Sequence, residues 1–286
     1  LTFLSFVLLG ALWGASFLFL RIAAPEFGPA LAAELRVGLA WLALWLLVRL
    51  WPWAQAQSAQ RAGVHWRAYA LIGLLNSALP FALYGLAALV LPAGYMAILN
   101  ALVPLWGGLL AIRFLNEPLR PRLVMGVALA ALGVSLMVQL GPLELSPAVL
   151  LGVLACMGAT LCYAIAGILT KRLLAQASGY ANALHSLFFA SCWLLPFGLW
   201  QAPAAHPSPA GWGAVTALAL GSTALAYLIF FRLIRDLGPV RATSVTFLIP
   251  AFGVLWGVLF LGEPITSGMI LGFGLVLSAS VLVLRK

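Results

Sequence analysis

The chain has 286 residues, of which 64% are hydrophobic and 7% charged, and a formal net charge of +9. Soluble domains spend about a quarter of their residues on charge, so water is not the main solvent of this chain. The basic residues stand singly at the ends of apolar blocks, a pattern that excludes a nucleic-acid-binding module.

Apolar blocks run through the whole sequence, near 3–22, 30–49, 67–89, 93–113, 122–140, 149–170, 180–200, 211–232, 240–261 and 267–284. A helix needs about 20 apolar residues to cross the hydrocarbon core, and each block has roughly that length. The blocks do not alternate apolar and polar positions as barrel strands do. The expected fold class is therefore an all-α polytopic membrane protein with ten transmembrane helices. The first block is too long for a signal-peptide core, and Arg21 follows it without a small-residue cleavage site, so it is expected to remain as a helix.

Taken in chain order, the blocks place their polar and aromatic residues unevenly. Trp13 and Ser16 sit near the middle of the first. Glu34 and Arg36, in the outer part of the second, are two residues apart and so point to different faces; they either snorkel to the outer interface or form a gate. Asn76 and Ser77 lie mid-span in the third, with Pro80 and Tyr84 beyond them. Tyr95 opens the fourth near its outer mouth, where it is an interface anchor or gate residue. Asn100 precedes Pro104 by four residues, and a proline frees the carbonyl four residues back, so Pro104 is a candidate hinge, and Pro80 acts the same way on Asn76.

In the second half, Thr160 and Tyr163 lie mid-span in the sixth block, Ser222, Thr223 and Tyr227 in the eighth, and Thr246 four residues before Pro250 in the ninth. Small-solute sites in carriers lie near the midplane. Trp13, Ser16, Asn76, Tyr84, Asn100, Tyr163, Ser222, Tyr227 and Thr246 are accordingly the candidate solute-binding residues, with Pro80, Pro104 and Pro250 as hinges. Each can equally serve helix packing or interhelical hydrogen bonding. His185 is a lone histidine, more in keeping with packing than with proton coupling. Cys156, Cys162 and Cys192 show no metal-ligand spacing and read as small core residues. The acidic residues Glu26, Glu34, Glu117, Glu144, Asp236 and Glu263 all avoid span centres. The lack of a central charge favours neutral or zwitterionic solutes over anions. No cofactor or metal site is expected.

With the N-terminus in the cytoplasm, the inner loops and the C-terminus hold Arg49, Arg61, Arg67, Arg113, Arg120, Arg122, Lys171, Arg172, Arg232, Arg235, Arg241, Arg285 and Lys286. Only Arg21 and Arg36 are left over, so the positive-inside rule puts both termini in the cytoplasm.

The halves resemble each other. "FLNEPLRPRLVMGVALAALGV" (114–134) matches "FLGEPITSGMILGFGLVLSAS" (260–280), pairing Glu117-Pro118 with Glu263-Pro264 and Pro104 with Pro250 at one offset of 146 residues. Residues 1–141 and 142–286 are thus expected to be two five-helix units. An odd span count forces the second unit upside down relative to the first, the inverted-repeat architecture of alternating-access carriers.

These residues resemble two tandem EamA units of the drug/metabolite transporter superfamily: "LWGASF" in the first span, the "LNEP" and "LGEP" turns, and Pro104 and Pro250. The second unit departs from the pattern, with "CYAIAG" at 162–167. In length and span count the chain is similar to YddG-type aromatic amino-acid exporters. The resemblance implies ten helices around a central cavity and export of neutral or aromatic amino acids and related metabolites from a bacterial inner membrane, with the small solute and the lipid bilayer as partners. An intramembrane enzyme would need paired carboxylates, a metal cluster or an activated nucleophile at span depth, and the sequence offers none. An assembly subunit would show a tightly packed centre.

Overall fold

The computed structural model describes residues 2–59, 65–114, 118, 120–140 and 146–284. Arg61, Asn116, Glu117, Glu144, Arg285 and Lys286 lie outside the described residues.

Among the described residues all regular structure is helical, and nine helices are long and apolar enough to cross a membrane. They are α1 (Thr2–Phe27), α2 (Pro29–Leu50), α3 (Trp66–Ala88), α4 (Ala93–Phe114), α5 (Pro121–Gln139), α6 (Pro147–Leu173), α7 (Gly179–Ala204), α8 (Pro209–Leu237) and α9 (Arg241–Leu261). A further apolar helix, α10 (Ser267–Leu284), closes the chain. A short helix that the apolar blocks do not announce, Pro52–Ala59, follows α2. The chain is a polytopic helical membrane protein, and its leucine-rich outer faces, such as Leu150, Leu151 and Leu154 on α6, are exposed to the hydrocarbon.

Local sequence sets the helix starts. Ser146, Ser178 and Ser208 each accept a backbone N–H two to three residues into α6, α7 and α8, from Val149, Ala181 and Gly211. A proline follows in the first turn of α6 and α8, where its missing N–H costs no hydrogen bond.

Proline also shapes the interiors. The wider π-helical turn at Leu74–Ala78 precedes Pro80 in α3, and a second π segment, Ala217–Leu225, lies in α8. In α4 the helix breaks at Ala101 and Leu102, just before Pro104, and in α9 a 3₁₀ segment at Ser244–Phe247 precedes Pro250. The four irregular stretches therefore fall in the third, fourth, eighth and ninth helices. Ser280 on α10 donates to the Ala101 carbonyl at 2.5 Å, satisfying backbone at the α4 break. Ser280→Ala should lower stability by about 0.6–1.7 kcal/mol, the range for a single interhelical hydrogen bond in a membrane. Unfolding in mild detergent measures it.

Three pairs of helices that stand five apart in the chain pack directly and antiparallel. In α2 and α7, Tyr180 reaches the Leu44 carbonyl (2.6 Å), Ser191 donates to Glu34 (2.6 Å), and Gly198 lies against Leu31. In α4 and α9, Gly94 faces Val254 while Gly257 faces Ala93. In α5 and α10, Gly126 lies against Ala279 and Val283, and Gly268 against Leu136 and Leu140. The glycines permit the approach, since a Cβ at Gly14 on α1 would stand 2.6 Å from the Phe252 Cβ and 2.9 Å from the Gly253 nitrogen of α9.

The bundle has two unlike ends. At the far end, where α1 finishes, Arg21 donates to the Ala88 carbonyl (2.7 Å) and lies 3.9 Å from the Glu263 carboxylate. Glu263 in turn accepts from the N–H groups of Ala93 and Gly94, at 2.8 and 3.3 Å, capping α4. Gln201 caps α2 through Ala30 and Leu31, and Glu26 accepts from the N–H and hydroxyl of Ser208. At the near end, where α1 begins, packing loosens. Ala93–Leu99 is buried without interruption, whereas from Val103 to Phe114 only Leu105 is. Two grooves open there beside the last turns of α6: one of about 100 Å³ against α4, lined by Leu110, Phe114, Ile165, Ile168, Leu169 and Arg172, and another against the start of α3.

Candidate functional site

The residues at mid-depth form one connected polar and aromatic cluster, and its centre is Arg36. This side chain does not snorkel to the outer interface. Only 6% of it is exposed. Its Nε donates to Thr223 Oγ1 at 2.9 Å, its Nη2 reaches Ser16 Oγ at 3.4 Å, and the guanidinium lies 3.7 Å from the centre of the Phe81 ring. Arg36 thereby ties α2 to α1, α3 and α8. The reason is its place in a small-residue stripe, Ala32, Arg36, Ala40, whose members are four apart on the protein-facing side of α2 and are all buried.

The π segment of α8 presents Thr223 to this guanidinium. Its hydroxyl donates to the Leu218 carbonyl, five residues back, at 2.8 Å, which turns the oxygen lone pairs towards Arg36. Next to it, Ser222 Oγ is buried with no hydrogen-bond partner among the described residues. Tyr227, one turn on, stands beside Asn76 and Ser77 in the π turn of α3, and both Tyr227 and Tyr163 stand close to Arg36.

A second wing extends from Tyr163. Its ring stacks on Tyr84 at 6.3 Å; Tyr84 meets the edge of Phe17 and donates to Asn100 Oδ1 at 2.9 Å. Trp106 on α4 donates from its indole to Thr160 at 3.0 Å. Trp13 is half-buried and packs on Phe230 at 5.2 Å. Trp13, Asn76, Asn100, Tyr163 and Tyr227 are only partly buried, whereas Ser16, Ser77, Tyr84, Thr160, Ser222 and Thr223 are buried. Tyr84→Phe should cost about 1 kcal/mol by stranding Asn100 Oδ1, a loss readable as a lower unfolding midpoint in detergent.

Eight of the nine candidate solute residues thus lie in or beside the cluster, and Thr246 does not. Its hydroxyl donates to the Thr243 carbonyl of its own helix at 2.9 Å, within the 3₁₀ segment. Two further expectations are corrected. Tyr95 is fully enclosed and donates to the Met137 carbonyl at 2.8 Å, so it binds α4 to α5 instead of guarding a mouth. Glu34 is held by Ser191 of α7 and seats against Gly38 and Gly198, so it belongs to the α2–α7 seam. Cys156 and Cys162 are buried, but Cys192 faces outward. His185 packs on the Tyr69 ring at 5.0 Å. Among the described residues no three His, Cys, Asp or Glu side chains gather as metal ligands.

Residues 1–139 and 150–285 match the model of the EamA-like transporter family. The chain belongs to this family. Among its relatives, Protein PecM of Dickeya dadantii is 28% identical over 279 residues, covering 95% of this chain and 88% of its own length. The uncharacterized transporter YvbV of Bacillus subtilis is 27% identical over 77% of this chain and 72% of its own, and an uncharacterized transporter of Archaeoglobus fulgidus is 26% identical over 75% and 76%. One solved crystal structure superimposes with a TM-score of 0.64 at 18% identity, over 99% of this chain and 96% of that one, a likeness of fold. As an EamA-like protein the chain is a transporter and not an enzyme, and it is a multi-pass protein of a bacterial membrane.

Proposed function

We propose that the protein exports small neutral or zwitterionic metabolites, amino acids including aromatic ones, by alternating access around the mid-depth cluster. The two moving units are residues 1–141 and 142–286, inverted five-helix repeats within ten transmembrane helices. Three features support the inversion: three of the equivalent helix pairs pack antiparallel, the irregular stretches recur in the third and fourth helix of each half, and the sequence repeats at an offset of 146. The near end carries Arg49, Arg67, Arg113, Lys171, Arg172 and Arg241 and is therefore assigned to the cytoplasm. On that assignment both termini are cytoplasmic and the clasped far end is periplasmic.

The observation that carries the reading is the cluster itself. Amide, hydroxyl, aromatic and guanidinium groups from α1, α2, α3, α4, α6 and α8 converge at mid-depth, and the far end beyond them is held together by the Arg21, Glu263, Gln201 and Glu26 contacts. Neutral polar groups can take up the ammonium of a zwitterion, and the Tyr84 and Tyr163 rings offer a face to an apolar side chain. Pro80, Pro104 and Pro250 lie beside the irregular stretches where helices can flex.

Counterflow into liposomes with a labelled panel of amino acids, nucleobases, sugars and cationic drugs tests the substrate class. Trp13→Ala, Asn76→Ala and Tyr163→Ala are each expected to lower amino-acid flux by roughly tenfold, the factor given by losing about 1.4 kcal/mol of solute binding, with the fold intact by detergent unfolding. Undiminished flux in all three would remove the cluster from the solute path.

A further inference from the structure

Arg36 poses a chemical problem that the helix bundle does not solve. A guanidinium carries five N–H donors in a fixed fork that matches the two oxygens of a carboxylate. Among the described residues Nε has a hydroxyl partner at 2.9 Å, Nη2 has a long contact at 3.4 Å, and Nη1 has no hydrogen bond. The nearest described carboxylate on the same helix, Glu34, faces α7 and is bonded to Ser191. Among the described residues no acidic side chain pairs with Arg36. A buried cation with only neutral neighbours is costly, and a fork held by Thr223 and braced on Phe81 has its remaining edge presented for use.

A purely structural cross-link would not need this residue. Hydroxyls can be joined by neutral donors without the cost of burying a charge. The flanking groups also suit an anion. The Ser16 hydroxyl is able to donate, Thr223 fixes the guanidinium by accepting from Nε, and Tyr163 and Tyr227 stand close to the guanidinium and are only partly buried.

We infer that Arg36 is the receptor for a carboxylate on the transported solute, gripping it through the open edge of the guanidinium with Ser16 and Thr223 alongside. This rests on reading the cluster as the solute site, and it adds a requirement: a solute must carry a carboxylate, whereas the amine is dispensable. Zwitterionic amino acids and simple monocarboxylates satisfy it. Amines, esters and neutral sugars do not. The binding of a carboxylate also removes the electrostatic cost of the empty site.

Three probes sharing one phenyl ring separate the groups: phenylalanine, 3-phenylpropionate, which lacks the amine, and phenethylamine, which lacks the carboxylate. The readout is the unfolding midpoint of the purified full chain in detergent at millimolar probe, which rises with any ligand that binds the folded state. Phenylalanine and 3-phenylpropionate are expected to raise it and phenethylamine to leave it unchanged. Arg36→Gln and Arg36→Lys are expected to weaken the carboxylate probes by about tenfold or more, since neither restores the bidentate fork. If Arg36→Gln does not fold, the wild-type probe series still decides. Stabilisation by phenethylamine equal to that by 3-phenylpropionate, no stabilisation by either carboxylate, or equal carboxylate binding in Arg36→Gln would each overturn the assignment. Carboxylate binding without flux in liposomes would leave Arg36 as the receptor and overturn the transport reading of the cluster, so the two fail separately.

Discussion

Gly14→Val and Gly253→Val are each expected to leave little folded protein. These glycines meet where α1, α4 and α9 cross, at the contact between the two halves. A side chain at Gly14 would run into the Phe252 Cβ, the Gly253 nitrogen and the Ile249 carbonyl, and one at Gly253 into Ala97. Most of these obstacles are backbone or the root of a side chain, so no rotamer change relieves them. Overpacking a core costs about 1–3 kcal/mol even where neighbours can shift; here whole helices must separate, and the cost should reach or pass the top of that range. Size-exclusion yield and unfolding midpoint in mild detergent measure it. Gly274→Val on α10 is the control, because nothing stands within 4 Å of that position, and its effect should stay within about 0.5 kcal/mol. Normal yield for Gly14→Val would contradict the close α1–α9 approach.

Glu263→Ala should open the far end. The carboxylate caps α4 through two N–H groups and lies 3.9 Å from Arg21, which itself holds the Ala88 carbonyl. On the alternating-access reading these bonds exist only while that end is closed. Hydrogen bonds to a charged group are worth about 1.5–3 kcal/mol, and contacts confined to one state shift the equilibrium by their full difference. A cysteine placed at Leu91, fully enclosed at the far end, should react with a membrane-impermeant maleimide about tenfold faster or more in the Glu263→Ala background. Glu263→Gln keeps an acceptor and should fall between. Equal labelling rates in all three proteins would show that Glu263 does not hold the far end shut.

The sequence made the helices legible because each apolar block ends at a charge, a glycine or a proline, and the helix bounds follow those marks within a few residues. The π and 3₁₀ stretches were legible in outline through Pro80, Pro104 and Pro250. Arg36 was not, because its closeness to the start of α2 suggested that its long side chain would reach water. The Ala32–Arg36–Ala40 stripe was the available signal, since small residues four apart mark a face against other helices. Thr246 misled because the repeat offset carries position but not backbone geometry, and its helix is 3₁₀ where α4 simply breaks. Glu263 was visible as part of a turn hallmark, yet its work as a cap on α4 depends on which helix start lies across the bundle, and sequence distance hides that.

A single cation held inside a bilayer also senses voltage. Carrying one full charge across a potential of 100 mV is worth about 2.3 kcal/mol, and Arg36 contributes whatever fraction of that field its surroundings traverse when the two halves rock. An empty carrier then reorients as a charged body, while one loaded with a monocarboxylate anion reorients close to neutral. The membrane potential would therefore bias the return of the empty carrier more than the outward passage of an anionic load, giving the cycle a direction without any titrating carboxylate.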